Sequence, residues 1–230
     1  MDIHTLAKMI DLSCVQANSS IEEIKEVASF AIKYNCICTF ALPAHTPLLI
    51  DALSDYPDIK VGGVVGFPAG GSTTKIKVLE AKELLGMGVD ELDMVINIAW
   101  LKSGKYGLVK NDIRSVVEAA KGTPVKVILE CHHLNKDEIV TACNLAVEAG
   151  VSFVKTGTGW APTGATLENV KLMKDTVGEA CEVKAAGGVR DIETLLAMNK
   201  LGTTRFGIGI RTAKSIFENM DEDKTSMTNN

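Results

Sequence analysis

Eight short β-like runs, set apart by stretches of helical periodicity, constrain this 230-residue chain more than any other feature. They cover 8–11, 36–40, 60–66, 91–97, 125–130, 152–156, 182–186 and 205–208. The runs are nearly continuous in apolar residues instead of alternating, as strands buried on both faces must be. The segments between them carry helical spacing. Thr74-Lys-Ile-Lys-Val-Leu-Glu-Ala-Lys-Glu-Leu-Leu is one example, with Gly86 and Gly88 as stop signals. Repeated strand–helix units of this length imply a parallel sheet, and eight of them predict a closed (β/α)8 barrel. A doubly wound open sheet is the competing arrangement. It lacks a dinucleotide fingerprint here, because Gly62-Gly63 and Gly70-Gly71 flank a strand without G-x-G-x-x-G spacing. With no low-complexity linker or break in composition, residues 1–220 read as one barrel domain and 221–230 as a polar, frayed tail.

Composition narrows the partners. Hydrophobic residues make up 46% of the chain and aromatics 5%, so Val, Ile, Leu and Ala must build the core. A net charge of -5 offers no electrostatic reason to bind nucleic acid. No stretch approaches the length of a membrane span, and the start lacks a secretory apolar region, so the cytoplasm is the expected location. Of six cysteines, most lie in or beside apolar runs, which suits buried packing in a reducing compartment.

The chemistry is expected where barrel enzymes place it, at the C-terminal ends of the strands. Asp11, Cys38, Asp93, Asn97, Glu130, Lys155 and Lys184 all fall there, as do glycines after the last three runs. Two lysines stand out: Lys155 in Val151-Ser-Phe-Val-Lys-Thr-Gly-Thr-Gly159, and Lys184 in Glu182-Val-Lys-Ala-Ala-Gly-Gly-Val-Arg190. Burying an unpaired ammonium is costly, so a lysine that closes an apolar strand is an odd choice unless its amine reacts. Two in one pocket repel each other's protons and leave one neutral enough to attack a carbonyl. Lys155, with Val151, Phe153 and Val154 beside it, is the candidate nucleophile, and Lys184 the second amine. The structural alternative for each is a salt bridge at the barrel rim. Asp93, a polar residue inside an apolar strand, can relay protons or simply hold the lysines, and Asp11 can serve the same network.

Thr156-Gly-Thr-Gly159, Gly187-Gly188 and Gly207-Ile-Gly209 expose backbone N–H groups at adjacent strand ends, a pattern suited to a phosphate or carboxylate. His132 and His133 invite a metal, but no third ligand has suitable spacing. No metal site is expected, and His45 reads as loop.

Taken together, Gly66-Phe-Pro-Ala-Gly70, Glu91-Leu-Asp-Met-Val-Ile-Asn97 with Leu101-Lys-Ser-Gly104, Val154-Lys-Thr and Lys184-Ala-Ala-Gly-Gly-Val-Arg190 resemble the deoxyribose-phosphate aldolase family over nearly the whole chain. The resemblance implies a class I aldolase that joins acetaldehyde to glyceraldehyde 3-phosphate and cleaves the product, without metal or organic cofactor. It implies Lys155 as the Schiff-base lysine, Lys184 as the lysine that tunes it and Asp93 as the proton-relay aspartate. Asp11, Ser13, Cys38 and Lys126 would form the supporting network. Gly159, Gly187 and Gly188, with Gly207 and Gly209, would meet the phosphate. A homodimer or tetramer is the expected assembly.

The chain departs from the family pattern around the outer pocket. Gly157 stands where a serine is usual, and Gly207-Ile-Gly-Ile210 replaces a Gly-x-Ser-Ser turn. Asp11-Leu-Ser13 replaces Asp-His-Thr, Cys38-Thr-Phe departs from the usual run, and Glu130-Cys131 replaces Glu-Thr. These departures raise an alternative, a related aldolase of an unphosphorylated or differently substituted sugar. A non-catalytic sugar-phosphate sensor is a third reading, and retention of Lys155, Lys184 and Asp93 together argues against it.

Overall fold

The computed structural model describes residues 1–228, with side chains through Met220. Eight parallel strands close on themselves in sequence order. They are β1 (Ile10–Cys14), β2 (Cys38–Ala41), β3 (Lys60–Val65), β4 (Glu91–Val95), β5 (Val125–Ile128), β6 (Phe153–Lys155), β7 (Glu182–Ala186) and β8 (Thr203–Gly209). The first and last pair directly, with Asp11 opposite Gly207. The (β/α)8 barrel expected from the sequence is therefore the observed fold. None of the described helices is long and apolar enough to cross a membrane.

Some strand boundaries differ from expectation, for local reasons. The first strand starts later than 8–11 because Asp2 caps a short helix, Ile3–Ala7, accepting from the Thr5 N–H at 2.8 Å. The amides of Lys8 and Met9 then close that turn on His4 and Leu6. Strand β4 ends at Val95, two residues before the expected 97, because Asn97 leaves the sheet to cap the helix Ile98–Lys102. Strand β5 stops short of 130 because Glu130 takes a left-handed conformation, φ 53°, and opens a 3-10 turn over Cys131–His133. Gly88, in the left-handed region, ends the helix Thr74–Met87, whereas Gly86 lies inside it.

Alternation along each strand sorts the core. Ile10, Leu12 and Cys14 pack outward under the helices, while Asp11 and Ser13 face the barrel interior. Two outer clusters of Val, Leu, Ile, Ala and Met fill the layer between sheet and helices. Inside, a small apolar group of Val15, Cys38, Phe40 and Val64 is surrounded by charge. All six cysteines are free and buried.

Among the described residues, one fully buried ion pair lies outside the barrel interior. Lys77, fully buried, bonds Asp112 Oδ2 at 2.6 Å and the Val95 carbonyl at 2.9 Å. Thr74 Oγ1 donates to the other Asp112 oxygen at 2.7 Å. This pair locks Thr74–Met87 to its neighbour helix Tyr106–Ala120. The last helix spans Ile210–Thr228. Side chains of the polar tail expected over 221–230 lie outside the described residues, as do residues 229 and 230 altogether.

Candidate active site

The sheet brings the charged residues together by register. Asp93 on β4 pairs with Val64 on one side and Lys126 on the other, and Lys155 on β6 stands opposite Lys184 on β7. Side chains that are far apart in sequence therefore meet inside the barrel. Three carboxylates (Asp11, Glu91, Asp93) share that interior with four cations (Lys126, Lys155, Lys184, Arg205). One positive charge is therefore left over, apart from Lys60, which reaches Glu91 at 3.2 Å from the exposed rim.

The amines of Lys155 and Lys184 both donate to Asp93 Oδ2, each at 2.7 Å. Lys126 meets the other oxygen of Asp93 at 3.2 Å, and Lys184 also meets Asp11 Oδ2 at 2.5 Å. A lower tier completes the network. Arg205 Nε bonds Asp11 Oδ1 at 2.8 Å, its terminal nitrogens bond Glu91, and Lys126 closes a short ion pair with Glu91.

Burial and charge set the protonation of this network. Burial pushes the Lys155 amine down from its ordinary 10.5 to about 8, with Asp93 opposing the shift and Lys184 reinforcing it. Burial alone would raise Asp93, but Lys126, Lys155 and Lys184 outweigh it and hold the carboxyl well below the usual range. Asp11 behaves likewise under Lys184, Lys126 and Arg205. Lys126 is raised, because Asp93 and Asp11 overcome the desolvation that opposes its charge. Among the lysines of the network, then, Lys155 carries a lowered amine, as a nucleophile near neutral pH requires.

Above the lysines opens a cavity of about 1070 Å³. Lys155, Lys184, Asp11, Ser13 and Phe40 line it, and Asp93 lies just beneath. The glycines expected to meet an anion, Gly159, Gly187, Gly188, Gly207 and Gly209, all line it as well, with Arg190 and Arg211 at the same mouth. Gly188 needs its lack of a side chain: at φ +144° a Cβ would stand 2.8 Å from the Ala165 carbonyl oxygen.

The two glycines that stand where serine is usual, Gly157 and Gly209, differ in cause. A Cβ on Gly157 would come within 2.8 Å of Glu130 Oε1. Glu130 is held there by the N–H of Thr158 and by a short bond from its hydroxyl. Gly209, by contrast, has room, since its nearest neighbour would be the Ser13 carbonyl oxygen at 3.8 Å.

Other expected positions take quieter roles. Ser13 Oγ donates to the Ile208 carbonyl at 3.2 Å, joining β1 to β8. Cys38 is buried beside Asp11 and Glu91. Burial first, then those carboxylates, hold its thiol well above the ordinary value and therefore protonated. The ligand atoms of Asp11, Cys38 and Glu91 lie within 4.8 Å of one another, yet both carboxylates already carry Lys126 and Arg205. His132 bonds Thr163 Oγ1 at 2.7 Å, away from the lysines.

Three residues escaped the sequence reading. Glu91 and Arg205 are charged residues inside apolar runs, the same signal that marked Asp93, but 114 positions separate these partners. Phe40 gave no chemical signal at all. Its ring lies over the interior amines, 4.2 Å from Lys184 Nζ, 4.8 Å from Lys126 Nζ and 5.9 Å from Lys155 Nζ.

The profile of the family described as DeoC/LacD family aldolase matches residues 1–217. The chain belongs to the DeoC/LacD family of aldolases. Among its relatives, a deoxyribose-phosphate aldolase of Sinorhizobium medicae (strain WSM419) is 48% identical over 208 residues, covering 90% of this chain and 84% of the relative. One of Klebsiella pneumoniae subsp. pneumoniae is 45% identical over 207 residues, covering 89% and 83%. Of solved structures, the tetrameric deoxyribose phosphate aldolase of Aeropyrum pernix superposes with a TM-score of 0.86. It is 26% identical, with 96% of this chain and 92% of that one covered.

Proposed function

We propose that this protein is a class I aldolase that reversibly cleaves 2-deoxy-D-ribose 5-phosphate to acetaldehyde and glyceraldehyde 3-phosphate through an imine on Lys155. One observation carries this reading. Two buried amines meet one carboxylate oxygen at 2.7 Å each, and the Lys155 amine is lowered to about 8.

The neutral Lys155 amine adds to the C1 aldehyde of the open-chain sugar, and loss of water gives the protonated imine. That imine draws electrons from the C2–C3 bond as the C3 hydroxyl gives up its proton. The bond breaks to release glyceraldehyde 3-phosphate and leave an enamine. Protonation at C2 and hydrolysis then release acetaldehyde and restore the amine. Lys184 carries the proton, and Asp93, bonded by both amines, bridges its passage between them. Asp11, Ser13, Lys126, Glu91 and Arg205 hold this geometry, with Cys38 packed under it as a neutral thiol. The N–H groups of the glycine turns, with Arg190 and Arg211, receive the phosphate. Every step is an addition, elimination or proton transfer that these side chains supply.

The same reading treats residues 1–220 as one barrel domain that forms a homodimer or tetramer. Six buried, unpaired thiols support a cytoplasmic setting. The test is acetaldehyde release from 2-deoxyribose 5-phosphate, compared between the native protein and Lys155→Met. Release by the native protein and none by the variant supports the reading. Equal release by both defeats it.

A further inference from the structure

Among the described residues, Phe40 is the one aromatic ring that faces both reacting amines and also lines the cavity. Its place is built in. A Cβ at position 62 on the adjacent strand would fall 2.1 Å from the ring, so Gly62 leaves the space that the ring fills. The ring's electron-rich face attracts ammonium groups, and the attraction weakens with distance. The distances are unequal: 4.2 Å to Lys184 Nζ, 4.8 Å to Lys126 Nζ and 5.9 Å to Lys155 Nζ.

We propose that Phe40, together with Asp11, sets which of the two paired lysines stays charged and which reacts: its ring supports the ammonium form on Lys184 and leaves Lys155 as the nucleophile. This rests on the imine reading above and deepens it. The carboxylates alone do not make that choice through Asp93, because both amines touch the same oxygen at the same distance. Asp11 favours charge on Lys184, and Phe40 acts in the same direction. The remaining charged groups of the interior are Lys126, Glu91 and Arg205, with the Cys38 thiol beside them. They lie a tier lower, where Lys126 also faces the Phe153 ring at 5.6 Å.

The consequence concerns which amine carries the imine. Weakening the ring's attraction withdraws more support from the ammonium on Lys184 than from Lys155, because Lys184 is closer. Lys184 then competes with Lys155 for the sugar aldehyde.

The experiment replaces Phe40 with mono-, di- and trifluorinated phenylalanine, which withdraws electron density from the ring face at nearly constant shape. It measures kcat/KM for 2-deoxyribose 5-phosphate. Borohydride trapping with the same sugar, followed by peptide mapping, locates the adduct. The expected result is a share of adduct on Lys184 that grows in proportion to fluorination, by about three- to tenfold across the series, with a fall in kcat/KM beside it. A flat series with adduct only on Lys155 overturns the proposal and leaves Phe40 as packing. If the native protein itself forms no adduct at Lys155, the imine reading falls and this inference falls with it.

Discussion

Lys155 and Lys184 stand opposite each other on neighbouring strands and share one oxygen of Asp93, at 2.7 Å from each amine. The shared oxygen places two like charges in contact inside a barrel whose cations outnumber its carboxylates. Releasing a proton relieves that excess, and Lys155, whose amine burial lowers, is the one of the two that Asp11 does not pair.

Lys184→Met tests this coupling. Removing the neighbouring charge leaves Asp93 to Lys155, so the Lys155 amine should rise from about 8 toward its ordinary 10.5. The acid limb of kcat/KM should move alkaline by about one unit or more, cutting activity at neutral pH by about 10-fold through titration alone. An acid limb that does not move would show that Lys184 has no electrostatic hold on Lys155.

Stability against pH gives a second test that needs no substrate. Between about 8 and 10.5 the unfolded chain holds a proton on Lys155 that the folded chain has released. Stability must therefore rise with pH across that window, and below it the cost of a charged Lys155 is present in full. Relative to Lys155→Met, the native protein should gain on the order of 3 kcal/mol from pH 8 to 10.5. Urea unfolding of both proteins at several pH values measures the difference. Parallel curves would contradict a lowered amine.

The two glycine departures should respond differently to serine. Gly209→Ser has space, and its hydroxyl should donate to the substrate phosphate, lowering KM by about 10-fold with kcat unchanged. Gly157→Ser meets Glu130 and should displace the Thr158 turn, raising KM instead. Steady-state kinetics on both variants, with unphosphorylated deoxyribose as the control, separates the cases.

Much of the site was legible because the barrel imposes a rule. A polar residue near the end of an apolar strand has nowhere to go but the interior or the mouth, so Asp11, Asp93, Lys155 and Lys184 were visible as exceptions to their surroundings, whereas Lys126 entered only through the family resemblance. Boundaries were less legible, because caps decide them. Asn97 and Glu130 look strand-like in sequence, but one leaves the sheet to bond the Trp100 N–H and the other turns left-handed. Arg205 and Glu91 show why charge networks resist reading, since neither residue indicates its partner until β4 and β8 face each other. Phe40 was hidden by chemistry: a ring in an apolar run looks like filler, and only the three amines beneath it give it meaning.

Outside the barrel, Lys77→Met should be the costly change. It strands the Asp112 carboxylate, fully buried, and should destabilise the fold by about 3–5 kcal/mol. The double variant Lys77→Met with Asp112→Leu should recover much of that loss in urea unfolding, with kcat preserved throughout. A single variant as stable as the native protein would show that the pair contributes nothing.

The most direct measurement is the mass of the protein, and of its peptides, after borohydride reduction in the presence of 2-deoxyribose 5-phosphate. The account predicts one reduced adduct per chain, mapped to Lys155, absent in Lys155→Met and fastest to form above about pH 8. Sugar cleavage without any trapped adduct, or an adduct mapped to another lysine while Lys155→Met still cleaves, would contradict it.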